Sequence, residues 1–175
     1  MLDAVVRMYP LKKQDMSVSA DASYNTQDVV ASGNLFGVGL NLGFANRNVK
    51  KQAIQTSTNL RTGVEIAAHG TFIQTQQVSL SHSIAYPKLI VPQFLLKKIN
   101  TDSLRTQRTL VNMSASYTDR KDFYQLKSVY GSLGYTWSRS RRNRMSHTWY
   151  FSPLNIEFVQ FNPRDQFNTL LESNP

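Results

Sequence analysis

Residues 35–45 read LFGVGLNLGFA, and every second side chain in this stretch is large and apolar. One side of the alternation consists of Phe36, Val38, Leu40, Leu42 and Phe44. The other side consists of Leu35, Gly37, Gly39, Asn41, Gly43 and Ala45. Because side chains on a β-strand point alternately to opposite faces, the stretch predicts a strand with one apolar face and one mostly small, uncharged face. This composition is typical of a strand between lipid and a wet, protein-filled lumen.

The same period of two recurs along the chain. It predicts strands near residues 16–24, 35–45, 54–66, 77–86, 109–118, 124–137 and 146–161. Pro153 falls inside the last of these, and we expect a bulge or register change there, because proline cannot donate a ladder hydrogen bond. No stripe of 3.6-residue period reaches a useful length, so no helix is predicted. The predicted fold class is all-β, an antiparallel up-and-down meander of about seven strands.

Length and composition limit the possible classes of protein. A chain of 175 residues is suited to one domain. The absence of cysteine excludes disulfides and thiolate metal sites. No run approaches the roughly 18 apolar residues of a membrane helix, which a β-barrel does not need. Residues 1–14 lack the apolar core of a signal peptide, so for an outer-membrane protein we expect the sequence to begin inside a longer chain.

The formal net charge is +9, and the basic residues are concentrated in alternate connections between the predicted strands. Since successive connections of a meander lie on opposite rims, one rim is predicted to be basic. We define this basic rim by Arg47, Lys50, Lys51, Arg139, Arg141, Arg142 and Arg144, with Lys12 and Lys13 beside them. A membrane barrel gives a reason for such segregation, because one rim can meet anionic headgroups or an acidic partner.

The arginines of residues 139–144 have two other interpretations. They could form a nucleic-acid or localisation patch, but they lie in a short turn and no aromatic platform flanks them in strand register. They could also be a solvated turn beside two core tryptophans, Trp137 and Trp149. We favour an interfacial aromatic belt formed by these tryptophans, and we expect no nucleic-acid partner.

Residues that would support catalysis are few. His69, His82 and His147 are far apart and lack metal-ligand spacing. Asp21 and Glu65 fall on the predicted lumen side, where single carboxylates are more often hydrogen-bonded structural groups than catalytic acids. The glycines between residues 37 and 43 lie inside a strand, where they suit close packing or a strongly bent sheet. The sequence therefore does not predict an enzyme, and it predicts no cofactor and no metal.

Several segments carry a family resemblance. They are LDAVVR (2–7) with PLKKQ (10–14), FANRNV (44–49), YPKLIVP (86–92), YTDRKDFY (117–124) with GYTW (134–137), SPLNI (152–156) and FNTLLESNP (167–175). Their order and content resemble the BamA/TamA outer-membrane surface-antigen superfamily, most closely its Bacteroidota versions. The resemblance implies that residues 1–10 hold the last strand of a POTRA-like periplasmic domain. It implies that residues 11–175 are the N-terminal part of a transmembrane β-barrel of the sixteen-stranded type, truncated at the C-terminus.

The same resemblance implies an integral protein of the bacterial outer membrane that assembles and inserts other outer-membrane proteins. In this family the first barrel strand forms a weak seam with the last, and client strands pair at that edge. The corresponding pairing edge consists of Met16, Ser17, Val18, Ser19, Ala20, Asp21, Ala22, Ser23 and Tyr24. Its small or polar side chains predict weak packing and a poorly specified register, which a seam that opens would need. They also fit an ordinary edge strand.

The partners implied are outer-membrane lipids, unfolded outer-membrane protein clients, and periplasmic or lipoprotein accessory subunits. Two other functions stay open. One is a passive outer-membrane barrel, either a porin or a transporter fragment, which a lumen ringed by Asp21, Arg61 and Glu65 would favour. The other is a soluble ligand-binding β-barrel with its apolar face turned inward.

Overall fold

The computed structural model describes residues 12–28, 33–67, 73–91, 106–140 and 146–173. The elements are β1 (Gln14–Asp28), β2 (Gly33–Val49), β3 (Ile54–Ala67), β4 (Ile73–Tyr86), β5 (Thr106–Arg120), β6 (Tyr124–Ser140), β7 (Ser146–Pro163) and the helix α1 (Asp165–Ser173). Each strand pairs antiparallel with its neighbours in sequence, and the sheet order is β1 to β7 without a crossover. The predicted all-β meander of seven strands is confirmed. The expected POTRA-like strand of residues 1–10 lies outside the described ranges.

Two tight turns lie at opposite ends of the sheet. Residues 50–53 link β2 to β3, and Asn48 stabilises this turn because its Oδ1 accepts the Ala53 N–H at 3.0 Å. Left-handed backbone occurs in this turn at Lys50 (φ 52°), Lys51 (φ 60°) and Ala53 (φ 53°). Residues 121–123 link β5 to β6, with Asp122 at φ 65°. Because the strands alternate in direction, successive connections alternate between two rims.

The predicted irregularity at Pro153 is present. Leu133 pairs with Leu154, but the next pair joins Tyr135 to Phe151, so two residues of β7 oppose one residue of β6. This arrangement is a β-bulge, which leaves the proline nitrogen outside the ladder of hydrogen bonds.

The prediction that the chain contains no helix is wrong for residues 165–173, where α1 forms. Its first turn is closed by the Arg164 carbonyl, which accepts the N–H groups of Phe167 and Asn168 at 3.0 and 3.2 Å. The Phe167 ring packs edge-on against Phe161 of β7 with centroids 5.3 Å apart. Nine residues are too short for a helical period to stand out in sequence, and this tertiary contact supplies stability that an isolated short helix lacks. No helix in the described ranges is long and apolar enough to cross a membrane.

Few apolar side chains are buried, because the described strands form a single layer. The buried apolar residues are Leu35, Leu89, Phe123 and Tyr135. Domains in water normally bury a sheet face against a second layer. Both faces of the described sheet are therefore largely exposed, and both are candidate functional surfaces.

Candidate functional site

One face of the sheet is apolar and exposed. The side chains of Phe36, Val38, Leu40 and Phe44 are 40–47% exposed, and Leu42 is half-buried on the same face. The register continues this surface across the whole sheet. One row contains Val18, Leu42, Leu60, Leu80, Ala115, Val129 and Phe158, one residue from each strand. The five residues predicted to face lipid thus share one exposed surface, and their contact with lipid stays a prediction.

A polar pair within the apolar face is satisfied internally. Thr58 and His82 are register partners on β3 and β4, and the Thr58 hydroxyl lies 2.8 Å from His82 Nδ1. An apolar solvent cannot replace a missing hydrogen bond, so such pairing is what a lipid-facing polar residue requires.

Over most of β1 to β3 the opposite face is polar, and glycines there bring β1 close to β2. At β7 the same face carries the exposed apolar side chains of Val159 and Phe161. A Cβ at Gly37 would lie 2.5 Å from Ser23 Oγ, and a Cβ at Gly43 would clash with Ser17 Oγ. The hydroxyls of β1 therefore occupy space above β2 that any larger residue would fill. The expected close packing of these strand glycines is confirmed.

Asp21 connects three strands on this polar face. Its Oδ1 accepts a hydrogen bond from Asn41 Nδ2 of β2 at 3.2 Å, and its Oδ2 lies 3.4 Å from Arg61 Nη2 of β3. Ion pairing and hydrogen bonding give Asp21 a structural role. The carboxylate holds β1 to its sheet by reaching across β2.

The predicted pairing edge is the first edge of the sheet. Residues 16–24 of β1 are all exposed, and within the described ranges only β2 pairs with this strand. On the β2 side, however, the register runs unbroken from Gln14 to Asn25 and is reinforced by Asp21 and the glycines. On the β2 side the strand therefore has one continuous register, whereas the predicted weak packing and poorly specified register of the seam stay a prediction.

The basic rim is built around the start of β1 and the end of β2. The Arg47 N–H donates to the Lys13 carbonyl at 2.8 Å, and its guanidinium lies 3.6 Å from Asp15. Lys50 and Lys51 follow in the adjoining turn. At the same end of the sheet, the backbone of Arg139 on β6 is paired with His147. The remaining members, Arg141, Arg142 and Arg144, lie outside the described ranges, as does His69.

Trp137 and Trp149 are register partners on β6 and β7, on the apolar face near this rim. Trp149 is 58% exposed. The alternative of two core tryptophans is therefore wrong for Trp149, while Trp137 is half-buried. Aromatic side chains at the edge of an apolar band are typical of a membrane interface.

Sequence reasoning missed a contact at the same end of the sheet. Residues 87–91 lie between the strands predicted near 77–86 and 109–118, and the structure binds them to Thr109 and Tyr135 on the apolar face. Thr109 and Tyr135 are register partners, and their hydroxyl groups lie on the apolar face. Hydroxyl groups on a face that is otherwise apolar are the signal that could have indicated this contact.

Within the described ranges, no group of three or more His, Cys, Asp or Glu side chains could hold a metal ion. No family model matches this chain, and no curated protein and no solved structure matches it either.

Proposed function

We propose that this chain is the N-terminal part of an outer-membrane β-barrel of the sixteen-stranded type. The full-length protein then assembles and inserts other outer-membrane proteins. The family resemblance of the sequence motivates this proposal, and the observation that carries it is β1. Within the described ranges this strand has exposed, mostly small or polar side chains and is paired on one side, with β2.

The proposed mechanism is β-augmentation. An unpaired edge presents backbone N–H and C=O groups that pair with an incoming strand of any sequence. The small side chains at Ser17, Ser19 and Ser23 leave room for different clients. The backbone ladder with β2, from Gln14 to Asn25, keeps β1 attached to its own sheet while its outer edge exchanges partners, and the Asp21 contacts to Asn41 and Arg61 add to it.

The exposed apolar face supports an integral position in the bacterial outer membrane. Lipids would then cover the rows that no second layer covers. Periplasmic or lipoprotein accessory subunits would approach from the basic rim, where the POTRA-like residues 1–10 are expected. No catalytic step is part of this proposal.

Proline substitutions in the full-length protein test the pairing edge. Successive amides of a strand point to opposite sides, so Pro at Ser19 and Pro at Ala20 together remove one donor on each side. We expect client assembly to fail in at least one single variant, whereas Ser19→Thr keeps the donor and should assemble clients normally. A cysteine at Ser17 or Ser23 should also crosslink to the terminal strand of a folding client.

Two results would overturn the proposal. Normal client assembly by the variant with Pro at both Ser19 and Ala20 would make β1 a purely structural strand and favour a passive barrel. A full-length protein that stays in solution without detergent would favour a soluble ligand-binding barrel.

A further inference from the structure

Residues 87–91, which we call the strap, cross the apolar face beside the basic rim. The Thr109 hydroxyl on β5 donates to the Lys88 carbonyl at 2.8 Å and accepts the Ile90 N–H at 2.8 Å. On the next strand, β6, the Tyr135 hydroxyl donates to the Ile90 carbonyl at 2.9 Å. The strap leaves the end of β4 and therefore runs over β5 toward β6, across the direction of the strands.

Three polar backbone groups of the strap are satisfied by side chains of the sheet. Thr109, which is 1% exposed, and Tyr135, which is 8% exposed, together bind two carbonyls and one N–H. Irregular backbone is tolerated next to lipid only when protein groups replace the missing water. The strap meets this requirement at the three groups that lie over the sheet.

Some side chains of the strap are buried against the protein and others are exposed. Leu89 is 8% exposed, whereas Ile90 is 45% exposed. Lys88 is also exposed. Trp137 and Trp149 lie two residues closer to the rim than Tyr135 and Phe151, on the same face. A lysine and an outward isoleucine, with a tryptophan pair two residues closer to the rim, form the mixture found where acyl chains give way to headgroups.

We propose that the strap is an interfacial membrane anchor, in which Ile90 enters the acyl layer and Lys88 binds the phosphate of an anionic lipid headgroup. The inference rests on the proposed function, because it requires the apolar face to contact lipid. Beyond the proposed function, the anchor assigns a specific lipid contact at the basic rim to an irregular segment rather than to a strand. Positive charge and exposed apolar surface together select an anionic membrane surface as the partner.

These 175 residues contain no cysteine, so in a full-length protein whose other cysteines are replaced, a single cysteine placed here can carry a polarity-sensitive fluorophore. The full-length protein would be labelled at Ile90→Cys, at Leu40→Cys on the apolar face, or at Gln52→Cys in the turn beyond the rim. Each would be reconstituted in vesicles of equal parts phosphatidylcholine and phosphatidylglycerol with brominated acyl chains. We expect strong quenching at 40, intermediate quenching at 90 and little at 52.

The outcomes separate this inference from the proposed function. Quenching at 40 with a water-exposed label at 90 would overturn the strap anchor and leave the membrane barrel intact. A water-exposed label at both positions would overturn the membrane barrel and the anchor together.

Charge variants test the headgroup contact. With the label at 90, Lys88→Glu should reduce quenching in vesicles that contain phosphatidylglycerol, and Lys88→Arg should preserve it. The two variants should not differ in vesicles of phosphatidylcholine alone. Equal quenching for Lys88→Glu and the unmodified lysine in anionic vesicles would overturn the role of Lys88.

Discussion

At the scale of single residues, Gly39 shows how closely β1 approaches β2. A Cβ at this position would lie 2.5 Å from Asp21 Oδ2 and 3.0 Å from Asp21 Cγ. Gly39→Ala should therefore push the carboxylate away from Asn41 and Arg61. Because the Asp21 and Arg61 side chains are exposed and can move, the free energy of unfolding should fall by no more than about 1 kcal/mol. The midpoint of urea unfolding of the full-length protein in vesicles measures this change.

Gly131 provides the matched control for Gly39. A Cβ there meets no heavy atom within 4 Å, so Gly131→Ala should leave stability unchanged or raise it slightly. Combining Gly39→Ala with Asp21→Ala should cost less than the sum of the two single changes, because the clash disappears with the carboxylate. Strictly additive effects would contradict the steric explanation.

Ala53 is a second position at which the backbone conformation decides which residue type is most stable. The φ of Ala53 is 53°, a left-handed conformation that costs an L-residue roughly 1–2 kcal/mol. Glycine avoids this strain but loses more conformational entropy on folding than alanine, which costs roughly 0.5–1 kcal/mol. Ala53→Gly should therefore be neutral or stabilise the protein by up to about 1 kcal/mol. Ala45→Gly in the interior of β2 should destabilise it by roughly 0.5–1 kcal/mol, since only the entropy term applies there. Urea unfolding of both variants measures the sign of each change in the free energy of unfolding. An equal loss of stability in the two variants would contradict the strain at Ala53.

At the scale of elements, β2 separates the two faces of the sheet. If its apolar face contacts lipid, Leu40→Arg should cost roughly 2–4 kcal/mol near the bilayer midplane. Asn41→Arg should cost much less, because position 41 faces the polar side, where Asp21 lies within hydrogen-bond distance. Folding yield and urea unfolding in vesicles compare the two variants. Equal costs at the two positions would contradict the lipid-facing assignment.

The elements differ in how far sequence could predict them. The strands and the bulge at Pro153 follow from period-two alternation and from the missing proline donor, which are local properties. The pairing of most strands with their sequence neighbours follows because short connections favour hairpins, although residues 87–105 between β4 and β5 are too long for that argument. By contrast, α1 depends on a ring contact between Phe167 and Phe161, and the strap depends on bonds between residues up to 45 positions apart. Contacts of that range leave no periodic signal.

The same limit applies to the candidate site. The exposed edge of β1 was predictable because the first strand of a meander has only one sequence neighbour to pair with. The fixed register on its β2 side was not, because it arises from hydroxyls placed above glycines and from Asp21 reaching Arg61. Composition indicates that β1 carries small side chains, but it does not indicate which strand they contact.

At the scale of the whole molecule, the two rims of the meander give it an orientation. Residues 50–53 lie on the basic rim and residues 121–123 on the other. Under the proposed function the basic rim faces the periplasm, because the POTRA-like residues 1–10 enter the barrel there. The opposite rim then faces the outside of the cell.

Single cysteines in the full-length protein test this orientation in intact cells. Gln52 and Lys121 are both exposed, and neither has a left-handed backbone, so cysteine should be accommodated at each position without strain. An impermeant thiol reagent added outside should label Lys121→Cys and not Gln52→Cys, because the outer membrane separates the reagent from the periplasmic rim. After the outer membrane is permeabilised, both should react, which establishes that Gln52→Cys is accessible. Labelling of Gln52→Cys in intact cells would contradict the periplasmic position of the basic rim, and with it the approach of accessory subunits from that side.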